Sequence, residues 1–212
     1  MNLSRFLLLL LLLLATPLAL GQAAHKTEPA STANRPEALV QSLYTQVVAR
    51  HPLGIPEGED MKIFAPFLSK ALLHRIDLAN ACFEDWNRQY PDPNLKPDFG
   101  WFESGLFSGD DEQAEPRTFQ IERTESEKDG SFHVYVRLTY GSPPEKPWIW
   151  QVAAIVVQEN GHFAIDDVIY LKEGPEGSRL VDSWLSEYLS AGCDGPRWVG
   201  YGNQQNGPKQ QR

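Results

Sequence analysis

Two adjacent carboxylates, Asp166 and Asp167 in "HFAIDDVIYL", are the first residues of this chain that could do acid–base work. In a strand of period two they point to opposite faces. Asp167 then shares its face with Phe163, Ile165, Ile169 and Leu171, the apolar side. A carboxylate held there is desolvated, its pKa rises unless a partner holds the charge, and it becomes a candidate general base. Tyr135, Tyr140 and Tyr170 are the phenols nominally available as oxyanion donors beside it, and Trp150 is a large ring that could line the same pocket. The pattern fits equally a β-bulge at the pair, or an Asp167 bonded to Arg137 or to a tryptophan indole.

Other chemistry-bearing residues fall short of a constellation. Ser108, in "GLFSGDDEQAE", lacks the Gly-x-Ser-x-Gly spacing of a nucleophile elbow, and no His and Asp follow it in a known order. Asp110, Asp111, Glu112 and Glu115 lack the alternating ligands and central glycine of a calcium loop, so this run reads as a solvated loop. No phosphate-binding glycine loop, His-x-x-x-His pair or cofactor fingerprint is present. The expectation is no metal and no cofactor.

The two cysteines, Cys82 in "ANACFEDW" and Cys193 in "AGCDGPRWVG", take their meaning from the start of the chain. Residues 1–21, "MNLSRFLLLLLLLLATPLALG", place Arg5 before an apolar run, and small residues at a cleavage position before Gln22. That is the layout of a secretory signal peptide, and the run is too short to span a bilayer, which takes about 20 residues. The expected location is therefore periplasmic or secreted. In an oxidising compartment an even cysteine count favours pairing, so Cys82 and Cys193 are expected to form a structural disulfide. No His sits in a recognisable Cys/His motif, which argues against a catalytic thiol. Loss of Arg5 with the leader leaves 18 basic against 28 acidic residues, a net charge of −10. So acidic a chain gains nothing from nucleic acid or from an anionic membrane surface.

The elements that must position these residues follow from periodicity. Residues 22–35 read as a flexible linker. Pro36 opens a helix with Leu39, Val40, Leu43, Tyr44, Val47 and Val48 on one face, and residues 50–60 form a loop. A second helix runs from Pro66 to about Arg88, with Cys82 beside its buried stripe of Leu68, Leu72, Ile76, Ala79, Phe83 and Trp86. Residues 91–116 are turn-rich yet hold Phe99, Trp101, Phe102, Leu106 and Phe107, which suggests a segment packed down on something. Strands are expected at 118–125, 131–140, 148–158 and 162–171, with hairpins at Asp129-Gly130 and Asn160-Gly161. Ser178 then caps a third helix with Leu180, Val181, Trp184, Leu185, Tyr188 and Leu189 on one face. Residues 201–212 form a polar, disordered tail. The sum is one α+β domain over residues 36–200: a curved antiparallel sheet of about four strands against two N-terminal helices and one C-terminal helix.

"CFEDWNRQYPDPNLKPDFGWFESGLFSGDDE", "WQVAAIVVQENGHFAIDDVIYL" and "GCDGPRWVG" together resemble a family of uncharacterised exported bacterial proteins, a domain of unknown function with a cystatin-like, nuclear-transport-factor-like fold. The resemblance covers roughly residues 36–200. It implies a cone: a bent sheet wrapped by helices, with a cavity inside. Such folds host enzymes, binding scaffolds and immunity proteins, so the fold does not fix the function. The expected function is a non-catalytic binding or protein-interaction domain, with an envelope or immunity-type role, and an unknown protein or a small apolar ligand as partner. The alternative is a small-molecule enzyme or carrier that uses the interior of the cone with Asp167 as acid or base. A third possibility is an inhibitor of a secreted hydrolase that presents a protruding loop at 105–115.

Overall fold

Four long strands run up and down in sequence order, because each hairpin is closed by residues suited to it. At the third turn Asn160 and Gly161 both take positive φ (52° and 81°), the backbone of a two-residue hairpin. The computed structural model describes residues 35–97, 99–110, 115–141, 144, 146–171 and 183–201. Within them β1 (Thr118–Ser126), β2 (Phe132–Tyr140), β3 (Trp148–Glu159), β4 (His162–Tyr170) and a short β5 (Ser183–Trp184) form one antiparallel sheet in the order β1-β2-β3-β4-β5. The α+β reading holds, with five strands in place of four. Residues 1–34, 178–181 and 202–212, where a signal peptide, a linker, the start of the third helix and a tail are expected, lie outside the described residues.

One sheet face carries the core. Phe119, Ile121, Val134, Val136, Leu138, Trp150, Val152, Ala154 and Val156 occupy cross-strand partner positions, and all but the first two are fully buried or nearly so. Helix α1 (Pro36–Arg50) lies on this face through Val40, Leu43, Tyr44 and Val47, with Pro36 in its first turn. Opposite, on the same strands, sit Gln120, Arg123, Tyr135, Arg137, Ala153 and Ile169, a face that is exposed along β1 and at Arg137 but buried at Ala153, Ile155 and Asp167 on β3 and β4.

The second helix departs from expectation at its start. Residues 50–60 are not all loop, since α2 spans Gly58–Phe64 and a 3-10 turn spans Ala65–Phe67. Pro66 sits in that turn, and α3 begins only at Lys70 and runs to Gln89. The physical reason lies in Leu68 and Ser69. Leu68 is extended and bridges Ile165, the Ser69 N–H donates to the Ile165 carbonyl at 2.8 Å, and the Ser69 hydroxyl accepts from the Leu72 N–H as the N-cap. This bridge also occupies part of the outer edge of β4.

The C-terminal helix is shorter than the periodicity implied. α4 covers only Leu185–Ser190, because Ser183 and Trp184 are drawn into the sheet opposite Tyr170 and Ile169. Trp184 therefore stands 38% exposed instead of on a buried helix face. After α4 comes a ribbon of β6 (Cys193–Asp194) and β7 (Arg197–Trp198). Cys193 bonds to Cys82, which is fully buried on α3, across 111 residues with Cα atoms 6.0 Å apart. Two hydrogen bonds reinforce the staple: the Trp198 N–H to the Asp85 carboxylate at 2.9 Å, and the Gln89 amide to the Trp198 carbonyl at 3.1 Å. The Trp198 N–H above all, with the Gln89 amide that also donates to the Asp85 carboxylate at 2.8 Å, holds Asp85 below its ordinary carboxylate pKa.

Closing so long a loop restricts the unfolded chain by about 4–5 kcal/mol in the chain-entropy view. Replacing both cysteines with alanine is expected to lower unfolding stability by about 4 kcal/mol, read by urea denaturation. Reductant should then destabilise the natural protein but leave the variant unchanged.

Candidate functional site

The Asp166–Asp167 pair sits at a register shift. Ile155 pairs with Asp167 but Val156 pairs with Ile165, so Asp166 is the extra residue of a β-bulge. Inserting one residue flips the side chains beyond it to the other face. Phe163 and Ile165 consequently lie on the core face, and Asp167 lies with Ile169 on the opposite one, which corrects the grouping expected from strict alternation.

Each carboxylate then serves a different helix. The Asp166 Oδ1 accepts from the Ser69 hydroxyl at 2.6 Å, and Arg75 approaches its Oδ2 at 3.6 Å while donating to its carbonyl at 3.0 Å. Both partners belong to the first turns of α3. The Asp167 Oδ1 accepts from the Val168 N–H at 2.8 Å and from the Ser186 N–H, in the first turn of α4, at 3.0 Å. Only 5% of Asp167 is exposed. That burial pushes its pKa up, while bonds from the Ser186 hydroxyl, Ser186 N–H and Val168 N–H pull in the other direction. The carboxyl acts as a cap on α4.

The five residues expected to share a pocket are not gathered. Asp167 and Tyr135 lie on the same sheet face with β3 between them and two residues out of register, about 12 Å apart by strand spacing and rise. The Tyr135 hydroxyl donates to Glu125 at 3.1 Å, and the Arg123 guanidinium lies 3.4 Å over its ring. Burial is the main cause that raises the Tyr135 pKa, with Glu125 adding to it. Trp150, Tyr140 and Tyr170 belong to the core face. Tyr140 packs near Trp148, their centroids 6.1 Å apart at the end of the β2–β3 pair.

Trp150 and Tyr170 have a use that sequence reasoning missed. The segment 105–110, "GLFSGD", enters the space between the sheet and the helices, where Leu106, Phe107, Ser108 and Asp110 are all buried. This overturns the reading of its start as a solvated or protruding loop; residues 111–114 lie outside the described residues. Three successive backbone carbonyls on it each receive one side-chain donor. The Tyr170 hydroxyl bonds Leu106 O at 2.6 Å, the Tyr44 hydroxyl bonds Phe107 O at 2.7 Å, and the Trp150 indole bonds Ser108 O at 2.8 Å. Burial drives both phenols far above their ordinary pKa, with Asp110 adding to each, so they remain protonated donors. Glycine is required here. A Cβ at Gly105 would collide with the Asp110 carboxylate and the Ser108 hydroxyl, and at Gly109 (φ 68°) with the Tyr170 ring. The available signal was Leu106-Phe107, two apolar residues between glycines.

Two further surfaces stand out among the described residues. A groove of about 130 Å³ between α3 and α4 is lined by Arg75, Ala79, Ser186, Leu189 and Cys193. That is below the roughly 300 Å³ at which drug-sized sites begin. At the C-terminal end of α3, Phe83, Phe99, Trp101, Phe102 and Trp198 form a chain of ring contacts with centroids 4.8–6.2 Å apart, and Phe102 is 45% exposed. Among the described residues no three His, Cys, Asp or Glu side chains are placed to hold a metal ion, and no helix is long and apolar enough to cross a membrane.

Two substitutions separate structural from chemical roles. Trp150→Phe leaves a buried carbonyl without its donor and is expected to cost about 1–3 kcal/mol in urea unfolding. Asp167→Asn keeps an acceptor for α4, so the fold should survive. Because Asp167 has a folded pKa above 3.8, the natural protein should gain stability relative to Asp167→Asn as pH falls, completing the gain near pH 3.8. Thermal melts of both from neutral to acid pH read the difference; a gain toward high pH would reverse the assignment.

No family model, curated protein or solved structure matches the chain.

Proposed function

We propose that this protein is an exported, non-catalytic interaction domain that works through its outer surface. In this reading it belongs with the cystatin-like, nuclear-transport-factor-like exported proteins it resembles, in an envelope or immunity-type role. The observation that carries the reading is the placement of segment 105–110. The region in which such a fold would hold a substrate is taken up by the protein's own backbone, and the polar tips facing it are spent on Leu106, Phe107 and Ser108. Aromatic surface is presented outside instead, where large apolar groups commonly mark a contact site. A buried disulfide partner and a leader-like N-terminus favour an oxidising compartment.

The enzyme or carrier alternative rests on Asp167 as base. It has less support, since the carboxylate is engaged by α4 and stands on the face opposite Tyr140, Trp150 and Tyr170.

Two measurements test the proposal. Expressed with its leader in a cell that has a periplasm, the mature chain should begin at Gln22 and contain no free thiol by intact mass. A photo-crosslinking residue placed at Phe102 or at Tyr135 should trap a protein in the same compartment. A cytoplasmic product with both thiols free, or no protein adduct at either position, would refute it.

A further inference from the structure

We propose that Cys193 is the sulfur through which an outside thiol opens the disulfide, and that exchange there frees the ribbon after α4 from α3 as a redox-controlled flap. This goes beyond the interaction role and does not depend on it.

The two sulfurs are unequally placed. Cys82 is fully buried on α3, whereas Cys193 is part-exposed and lines the groove between α3 and α4, with Ala79, Leu189 and Gly195 beside it. A groove of about 130 Å³, small for a drug-sized ligand, admits a group the size of a cysteine side chain. Thiol–disulfide exchange begins when a thiolate reaches one of the two sulfurs, and access decides which. Here the thiolate attacks Cys193 Sγ, the S–S bond breaks, and Cys82 leaves as a thiolate that takes a proton from water. With a dithiol, the second thiol then displaces Cys193 from the mixed disulfide. The dithiol ends as its own disulfide, and the cysteine pair has gained two electrons and two protons.

The ribbon is built to move as one piece. Cys193 pairs with Trp198 and Asp194 with Arg197, and the last two side chains form an ion pair. The Val199 and Gly200 N–H groups both donate to the Gly192 carbonyl, at 2.9 and 3.2 Å. Residues 192–200 thus bond to one another. They join α4 through Ala191, which is extended, and Gly192, whose φ of 77° makes a joint.

Besides the disulfide, three contacts hold the ribbon down. The Trp198 N–H donates to Asp85, the Gln89 amide donates to the Trp198 carbonyl, and the Trp198 ring meets Phe99 with centroids 4.8 Å apart. Hydrogen bonds this close to solvent contribute little each. Once the covalent bolt is gone, local opening of the ribbon therefore requires far less than unfolding the sheet. Opening bares Cys82 and Phe99, which is now only 3% exposed.

Two measurements on the mature, oxidised protein test this. After native incubation with reduced glutathione and an acid quench, peptide mass mapping should find glutathione on Cys193 and a free thiol at Cys82. After reduction with dithiothreitol, the amides of residues 192–200 should exchange hydrogen at least about tenfold faster, while those of β2–β4 stay protected over the same period. The Cys82→Ala/Cys193→Ala double variant should show the fast ribbon without reductant. Asp85→Ala should speed it further in the reduced protein and far less in the oxidised one. The proposal is overturned by glutathione on Cys82, or by a disulfide that resists both thiols until the protein unfolds. A ribbon as protected after reduction as before, or a ribbon and sheet that lose protection together, overturns it as well.

Discussion

Backbone carbonyls do not enter an apolar core unless something donates to them, and three of them in a row do so here. Leu106, Phe107 and Ser108 bring their C=O groups between the sheet and the helices, and Tyr170, Tyr44 and Trp150 supply one donor each. The donors come from three elements: β4, α1 and β3. Segment 105–110 therefore ties the first helix to two central strands through its own main chain. The fully buried Phe107 stacks on Phe64 with centroids 5.2 Å apart, so the same segment also seats α2. An apolar side chain in place of any of the three donors would fill much the same volume but leave a carbonyl dry, a cost of about 1–3 kcal/mol each.

The bulge at Asp166 performs a comparable service at the other edge. One extra residue gives two neighbouring carboxylates two destinations, Asp166 to the start of α3 and Asp167 to the start of α4. Helix starts leave N–H groups without intrahelical partners and carry partial positive charge, so a carboxylate is well used there. The same two helices are joined further along by the ribbon after α4, through Cys193 to Cys82 and through Trp198 to Asp85 and Gln89. The C-terminal third of the domain is thus held at both ends, electrostatically at the bulge and covalently at the ribbon.

With segment 105–110 folded inside, Asp167 capping α4 and Asp166 holding the Ser69 hydroxyl that caps α3, two exposed surfaces stand out among the described residues. The first is the sheet face around Tyr135, where charges are paired along the strands by Arg123 with Glu125 and by Arg137 with Glu122, and the second is the aromatic ridge at the end of α3. The first is polar toward β1 and β2 and self-satisfied. The second exposes rings and aliphatic side chains within a charged rim, the usual anatomy of a protein contact.

Local rules were enough for much of this. Alternation located the four long strands within a residue or two, Asn160-Gly161 and Asp129-Gly130 set their order as a meander, and the stripe on the second helix placed Cys82 in the core, because period-two and period-3.6 burial leaves its mark residue by residue. Three features escaped it, each a matter of partners distant in the chain. Leu68 and Ser69 pair with Ile165 and so delay α3; Ser183 and Trp184 pair with Tyr170 and Ile169 and so shorten α4; and Asp166 enters as a bulge that reverses the side on which Asp167 stands. The polar tips of Tyr44, Trp150 and Tyr170 likewise had no destination until residues 106–108 were folded between them. Hydrophobic pattern decides which face of an element is buried, but a hydrogen-bond partner sixty residues away is chosen only when the chain closes on itself.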